Sequence, residues 1–317
     1  MNNQINKSTH EYFSNIGSLF TLLPLTTRMI SSPGALYGGG KIDYTTDTSP
    51  IKLKWFDLDE EIFLAESSQI YLELSLIQKD TNSVYCVYNS FRKEPTDVTH
   101  LPEFHHIEYE GHVNQEENEK IMLNLIKKIL SDVIQNNERD LSFFLNNQKI
   151  RKLDEIVSRL PNITKLTFFE ALRLLNEDTK NPKYKKFTIK DNFGFWEEVR
   201  LTNLLEDMVL VKEFPLLEVS FYHSAIMGKT PQVANNSDLI WPGYREIAGS
   251  GQRIKSVDEL FEKAEVFNLP KEDYEIYLQS RKLPDYKSTS GFGLGWERLL
   301  QAYWTCPLFG LYHTSQE

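Results

Sequence analysis

Gly291-Phe292-Gly293-Leu294-Gly295-Trp296-Glu297-Arg298-Leu299-Leu300 sets three glycines at alternate positions and runs directly into charged and apolar residues at helical spacing. The alternation predicts a strand, and Glu297-Arg298-Leu299-Leu300-Gln301-Ala302-Tyr303 a helix entered through a tight turn. The glycines fit neither the GxGxxG of a doubly wound dinucleotide fold nor the GxxxxGK[ST] of a phosphate-binding loop. Alternate glycines serve a tight turn as readily as a phosphate. Arg298, just inside the helix, adds the chemistry, because a guanidinium there can stack over a purine or pair with a terminal phosphate.

Working outward, β-rich runs occur at Ile51-Lys52-Leu53-Lys54-Trp55, Glu61-Ile62-Phe63-Leu64 and Val84-Tyr85-Cys86-Val87-Tyr88, with further strands predicted over 107–113, 209–211 and 216–222. The clearest helix covers 115–136, where Ile121, Leu125, Ile129 and Val133 recur behind the acidic Glu116-Glu117. A second helical region covers 140–159, and a short apolar helix is predicted over 12–23, ahead of the Ser32-Pro33-Gly34 turn. Thr167 with Glu170, and Ser256 with Glu259, carry capping-box signatures. Strands and helices mix without a regular βαβ rhythm, which predicts an α+β fold: an antiparallel β-sheet flanked by helices, one domain over 1–317 with a helical insertion at about 115–185.

The 317 residues are 40% hydrophobic and 12% aromatic, enough for a large core and against general disorder. Thirty-five basic against 45 acidic side chains (35 − 45) leave a net charge of −10, which argues against a nonspecific nucleic-acid coat. No apolar run approaches the ~20 residues of a membrane span. The start, Met1-Asn2-Asn3-Gln4-Ile5-Asn6-Lys7, has no signal-peptide stretch, so a cytoplasmic location without membrane association is expected. Cys86 and Cys306 form no CxxC pair, which speaks against a disulfide framework or a structural zinc site.

Two other segments carry more polar residues at strand ends than a sheet needs. In Phe91-Arg92-Lys93-Glu94 and His100-Leu101-Pro102-Glu103-Phe104, an arginine leaving one strand faces a histidine entering the next, where both can meet an anion, and Phe104 offers a flat face to a base. The same residues would serve as an exposed ion pair on a surface hairpin. In Asp238-Leu239-Ile240-Trp241-Pro242-Gly243-Tyr244-Arg245-Glu246, two carboxylates flank a turn, an arrangement that can hold magnesium together with substrate phosphates, and Arg253 lies beyond the glycines as a forked donor. A solvated glycine-rich loop would look alike.

Together, in order, these segments resemble the catalytic core of the class II aminoacyl-tRNA synthetases, specifically the asparaginyl/aspartyl group. FRKE at 91–94 with HLPEF at 100–104 is similar to motif 2, GFGLGWERLL at 291–300 to motif 3, and DLIWPGYREIAGSGQR at 238–253 and SSQIYLE at 67–73 to segments of the asparaginyl branch. The resemblance implies ATP and Mg2+ as cofactors. It assigns Arg92 to the α-phosphate and the amino-acid carboxylate, Glu94 to the adenosine or acceptor, His100 to the γ-phosphate, Phe104 to adenine, and Arg298 to the other adenine face and the γ-phosphate. Asp238 and Glu246 would hold magnesium, Ser68, Gln69 and Leu72 would bind the amino acid, and Arg253 would meet its side-chain oxygen. Aspartyl-type members carry lysine where Leu72 stands, so the loss of that charge favours asparagine over aspartate. A homodimer is the family's expected state.

Departures set the expected acceptor. The stretch near 12–24 leaves no room before it for an OB-fold anticodon domain, and the motif 2 loop, 95–99, holds Asp97 where arginines would approach tRNA. Pro33 occupies the place of the family's ammonium-binding glutamate, and Thr289-Ser290 replaces a His-Gly in motif 3. The expected function is adenylation of asparagine, or a close relative such as aspartate, with pyrophosphate release and transfer to a non-tRNA acceptor. The alternatives are an asparagine synthetase that adenylates aspartate and captures ammonia, a truncated enzyme charging tRNA, and a nucleotide-binding regulator.

Overall fold

The alternating glycines form a central strand of an eight-stranded sheet in a computed structural model of the chain, which describes residues 1–39, 42, 49–93, 100–177 and 193–305. Among the described residues, the strands are β1 (Leu19–Phe20), β2 (Thr26–Thr27), β3 (Lys52–Leu53), β4 (Ile62–Leu64), β5 (Ser83–Phe91), β6 (Glu103–Gly111), β7 (Thr164–Thr167), β8 (Val209–Lys212), β9 (Asn236–Ile240), β10 (Glu246–Gln252) and β11 (Ser290–Gly295). The helices are α1 (Asn2–Asn15), α2 (Gly34–Tyr37), α3 (Gln69–Ser75), α4 (Gln115–Asn136), α5 (Glu138–Phe144), α6 (Asn147–Ser158), α7 (Phe168–Glu177), α8 (Phe195–Leu205), α9 (Val257–Val266), α10 (Lys271–Gln279) and α11 (Trp296–Thr305). The large sheet runs β1-β5-β6-β11-β10-β9-β8-β7, and a small one runs β2-β4-β3.

The pleat sorts the residues of the central strands by chemistry. Ile107 and Tyr109 of β6, Phe292 and Leu294 of β11, and Ala248 of β10 join one apolar cluster with Met122, Ile126 and Ile129 of α4. Asn114 caps α4, accepting from the Glu117 N–H at 2.9 Å while Glu117 returns a bond to the Asn114 N–H at 3.1 Å. Gln115 and Asn118 of its first turns reach Ser250 Oγ at 2.8 Å and the Gly291 carbonyl at 3.0 Å, pinning the helix to β10 and β11. The opposite pleat is left to small and charged residues. Gly291, Gly293 and Gly295 face Glu110, Glu108 and His106 across β6, and Gly293 and Gly291 face Gly249 and Gly251 across β10.

Several expectations are corrected. The six strands β5, β6, β11, β10, β9 and β8 are antiparallel, but β1 and β7 add to the two edges in parallel. Within the stretch 115–185, α4 covers the sheet centre and β7 is an edge strand, while residues 178–185 lie outside the described ones. The N-terminal helix is α1, earlier than 12–23, and the chain beyond it extends into β1. Residues 216–222 form turns, since Pro215 lacks an amide donor and keeps a single bridge, to Val233. Among the described residues, no helix is long and apolar enough to cross a membrane.

Candidate active site

Paired glycines leave a floor without side chains, and functional groups stand around it. At one end, β5 stops at Phe91, and the Arg92 N–H bonds the Pro102 carbonyl at 3.0 Å, closing the mouth of the β5–β6 hairpin. The Arg92 guanidinium lies over the Phe104 ring, 5.2 Å from its centroid. Arg298, in the first turn of α11, reaches the Glu246 carbonyl at 3.0 Å and Glu246 Oε2 at 3.4 Å. His100 Nε2 is 2.7 Å from Arg245 Nη1. Arg92, His100, Phe104, Glu246 and Arg298 enclose a lobe of about 150 Å3 over Gly293 and Gly295, a shape and charge suited to a flat base with phosphates.

The β9–β10 hairpin brings Asp238 and Glu246 together. A Cβ at Gly249 would fall 2.9 Å from Glu246 Oε1 and 3.3 Å from Asp238 Oδ1, so both carboxylates converge over that glycine. Burial, then the neighbouring Glu246 and Glu198 charges, push the Asp238 carboxyl well above its usual range. A divalent cation would relieve that repulsion. Among the described residues, no group of three or more His, Cys, Asp or Glu forms a metal cage, so the pair suits an ion such as magnesium completed by phosphate oxygens. Glu198 of α8 accepts from Arg245 Nε at 3.4 Å and from the Glu246 N–H at 3.3 Å, holding the hairpin from behind.

A larger lobe, about 440 Å3, continues over Gly249 and Gly291 towards α3. Arg253, 3% exposed, gives Glu110 a forked contact, Nε to Oε1 at 3.0 Å and Nη2 to Oε2 at 2.7 Å, and also donates to Gln69 Oε1. Gln69 passes the order on, its Nε2 donating to the Phe292 carbonyl at 3.0 Å. Gly291 is required here: a Cβ would sit 2.0 Å from Glu110 Oε2 and 2.7 Å from Arg253 Nη2. Burial lifts the Glu110 carboxyl to about 7 while Arg253 pulls it down. Glu108 accepts from Ser67 Oγ at 2.6 Å and the Ser68 N–H at 2.7 Å, which fixes the entry to α3.

Thus Arg92, His100, Phe104, Asp238, Glu246, Arg298, Gln69 and Arg253 converge on one cleft. Ser68 does not line it, and Leu72 packs inside an apolar cluster with Ala65, Leu76, Val84, Cys86 and Tyr88. Glu94 and the 95–99 loop with Asp97 lie outside the described residues. Sequence reasoning missed Glu108, Glu110, Glu198, His223 and Glu66. The alternation of His106, Glu108 and Glu110 with Ile107 and Tyr109 was a usable signal, since a polar face on a central strand has to serve a cavity. Glu66, 1% exposed, accepts from the Ser32 N–H on the cleft wall and feels the Arg92 charge.

Residues 1–305 match the family described as tRNA synthetases class II (D, K and N). The chain belongs to this family. The asparagine–tRNA ligase of Thermus thermophilus is 29% identical over 309 residues, which cover 96% of this chain and 65% of that protein. The asparagine–tRNA ligase of Desulforamulus reducens is 32% identical over 259 residues, 80% of this chain and 57% of that protein. The class II chain therefore spans less than two-thirds of the length of these relatives. Among solved structures, asparaginyl-tRNA synthetase from Pyrococcus horikoshii complexed with asparaginyl-adenylate superposes with a TM-score of 0.79 at 25% identity, over 96% of this chain and 64% of that one. The sheet and its flanking helices are thus those of a class II catalytic domain.

Proposed function

We propose that this class II chain activates asparagine with ATP, forming asparaginyl-adenylate and releasing pyrophosphate. A carboxylate oxygen of the amino acid attacks the α-phosphorus, the new bond forms, and the bond to the β-phosphate bridge breaks. Negative charge gathers on the α-phosphate, so the chain needs placed cations more than an acid or base. Arg92 stands at the junction of the two lobes and supplies that charge, while its stack on Phe104 and the facing Arg298 hold the base and the phosphate tail. Asp238 and Glu246 would hold magnesium, which offsets phosphate charge when bound.

One observation carries the choice of amino acid. Arg253 is already matched by Glu110, so the side-chain end of the cleft is electrically balanced and suits a neutral carboxamide. A substrate carboxylate there would add an unmatched charge, which is costly when desolvated. The acceptor has two readings. A non-tRNA amine rests on Asp97 in the loop where tRNA-binding arginines would stand. tRNA rests on the relatives, whose names are asparagine–tRNA ligase. Trapping the adenylate as its hydroxamate with hydroxylamine, then adding tRNA, tests both steps: hydroxamate made from asparagine supports activation, and labelled asparagine on tRNA selects the second acceptor. No hydroxamate from asparagine would refute the proposal. We further infer a homodimer through the N-terminal edge, where Leu19, Phe20, Leu22 and Leu25 are 46% to 86% exposed around β1.

A further inference from the structure

Arg92, His100, His106, Glu246, Gly293 and Arg298 wall both lobes of the cleft and so ring their junction. Of the six, His106 alone has no part in the chemistry above. It stands on the polar face of β6, paired in register with Tyr88 of β5 and with Gly295 of β11, which adds no side chain beside the ring. Two contacts hold that ring. Nδ1 lies 2.8 Å from Ser90 Oγ, and Phe104 meets the ring edge-on, with centroids 4.9 Å apart and planes at 88°. Nε2 has no partner among the described residues and is not sealed from solvent, so it opens on the lobes that the ring walls.

Ser90 decides which ring nitrogen carries the proton. Its hydroxyl is fully buried, and among the described residues the His106 ring is its one side-chain partner. Were the proton on Nδ1, the hydroxyl would accept it and leave its own hydrogen orphaned, which is costly for a buried donor. Glu108 Oε1, 3.5 Å from Nδ1, lies beyond the usual N–H···O reach. Ser90 therefore donates to Nδ1, and the ring's proton sits on Nε2. Burial, with the Arg92 and Arg298 charges, holds the ring well below the usual histidine range, so it is neutral at physiological pH.

We propose that His106 is a further catalytic residue, its Nε2–H donating to a non-bridging oxygen of the α-phosphate at the junction of the lobes, with Ser90 as the positioning residue that sets its tautomer. This inference rests on the asparagine-activation reading and adds a donor to it. As the carboxylate oxygen bonds to the α-phosphorus and the bond to the β-phosphate bridge breaks, charge gathers on the non-bridging oxygens and meets a donor already in place. His106 keeps its proton throughout. A neutral donor suits a spot that feels both Arg92 and Arg298, because it adds a hydrogen bond without a third positive charge.

The test is steady-state pyrophosphate exchange by the full chain and four variants. His106→Leu keeps the bulk and removes the donor. The expected result is a tenfold or greater fall in kcat, with KM for ATP and for asparagine changed less than threefold. His106→Gln, whose amide can again donate, is expected to recover most of that loss. Ser90→Ala should lower kcat at least threefold in the native background and have no further effect in the double variant with His106→Leu, because it acts through the ring. A kcat within threefold of wild type in His106→Leu would overturn the assignment, as would His106→Gln doing no better than His106→Leu. Equal rises in both KM values would mark general damage to the cleft and also overturn it. A Ser90→Ala loss of equal size in both backgrounds would overturn the tautomer role. Wild-type chain that exchanges with no amino acid would refute asparagine activation itself, a result distinct from a wild type that exchanges and a variant that does not respond.

Discussion

Arg92 sits where the two lobes meet, so its removal strikes the chemistry more than the fold. Arg92→Ala is expected to lower pyrophosphate exchange at least 100-fold, about 2.7 kcal/mol of transition-state stabilisation, with an unchanged circular dichroism spectrum; near-normal turnover would contradict its role. Asp238 makes the opposite trade. Its folded-state carboxyl is raised by burial and by Glu246 and Glu198, so its contribution to stability is full below the unfolded value of ~3.9 and is lost as pH rises through the higher folded value. Asp238→Asn is therefore expected to raise Tm at pH 7.5 by ~2 °C or more, with the gain vanishing towards pH 4, while magnesium-dependent exchange collapses. Calorimetry across that pH range would contradict this if the variant melted lower at pH 7.5. Arg92, Arg253 and Arg298 were legible in the sequence because their segments resemble ordered motifs. Leu72 packs on Val84 and Cys86 in an apolar cluster, a placement that its position in a helix beside the site did not reveal. His223 gave no signal, since the turns that carry it break the alternation that would have placed it.

At the scale of elements, the glycine floor is what the sequence announced most clearly and explained least. Alternation at 291–295 gave the strand, but the pairing of Gly291 with Gly251 and of Gly293 with Gly249 depends on register with a distant segment. Two substitutions separate the roles of these glycines. Gly291→Ala collides with the Glu110–Arg253 pair and is expected to lower stability by about 2 kcal/mol or more, read as a lower urea midpoint. At Gly293 the added methyl meets Glu108 at ordinary contact distances, 3.6 and 3.7 Å. Gly293→Ala should therefore fold normally and raise KM for ATP by obstructing the floor. Equal loss of stability in both variants would contradict this division. The helix caps were legible because they are local: Glu259 N–H to Ser256 Oγ, and the reciprocal bonds of Thr167 and Glu170, form as their spacing predicts. The turns at 216–222 were not, because burial of Val219 and Phe221 mimics a strand where the backbone has no ladder to join.

For the molecule as a whole, the sequence conveyed the α+β class and the convergence of its charged motifs, while the parallel edge strands and the central place of α4 came from long-range pairing that no local pattern encodes. The exposed apolar residues at the N-terminal edge predict a particle of twice the monomer mass in light scattering, and Leu22→Asp is expected to shift it to the monomer; a monomeric wild type would refute the dimer. The proposed reaction needs the nucleotide and carboxamide ends of one cleft to act together. Its most direct measurement is incorporation of labelled pyrophosphate into ATP by the wild-type chain with asparagine or aspartate, without tRNA. Asparagine-dependent exchange at least tenfold above that with aspartate is expected; exchange with aspartate alone, or none with asparagine despite measurable ATP binding, would refute a single asparagine-activating cleft.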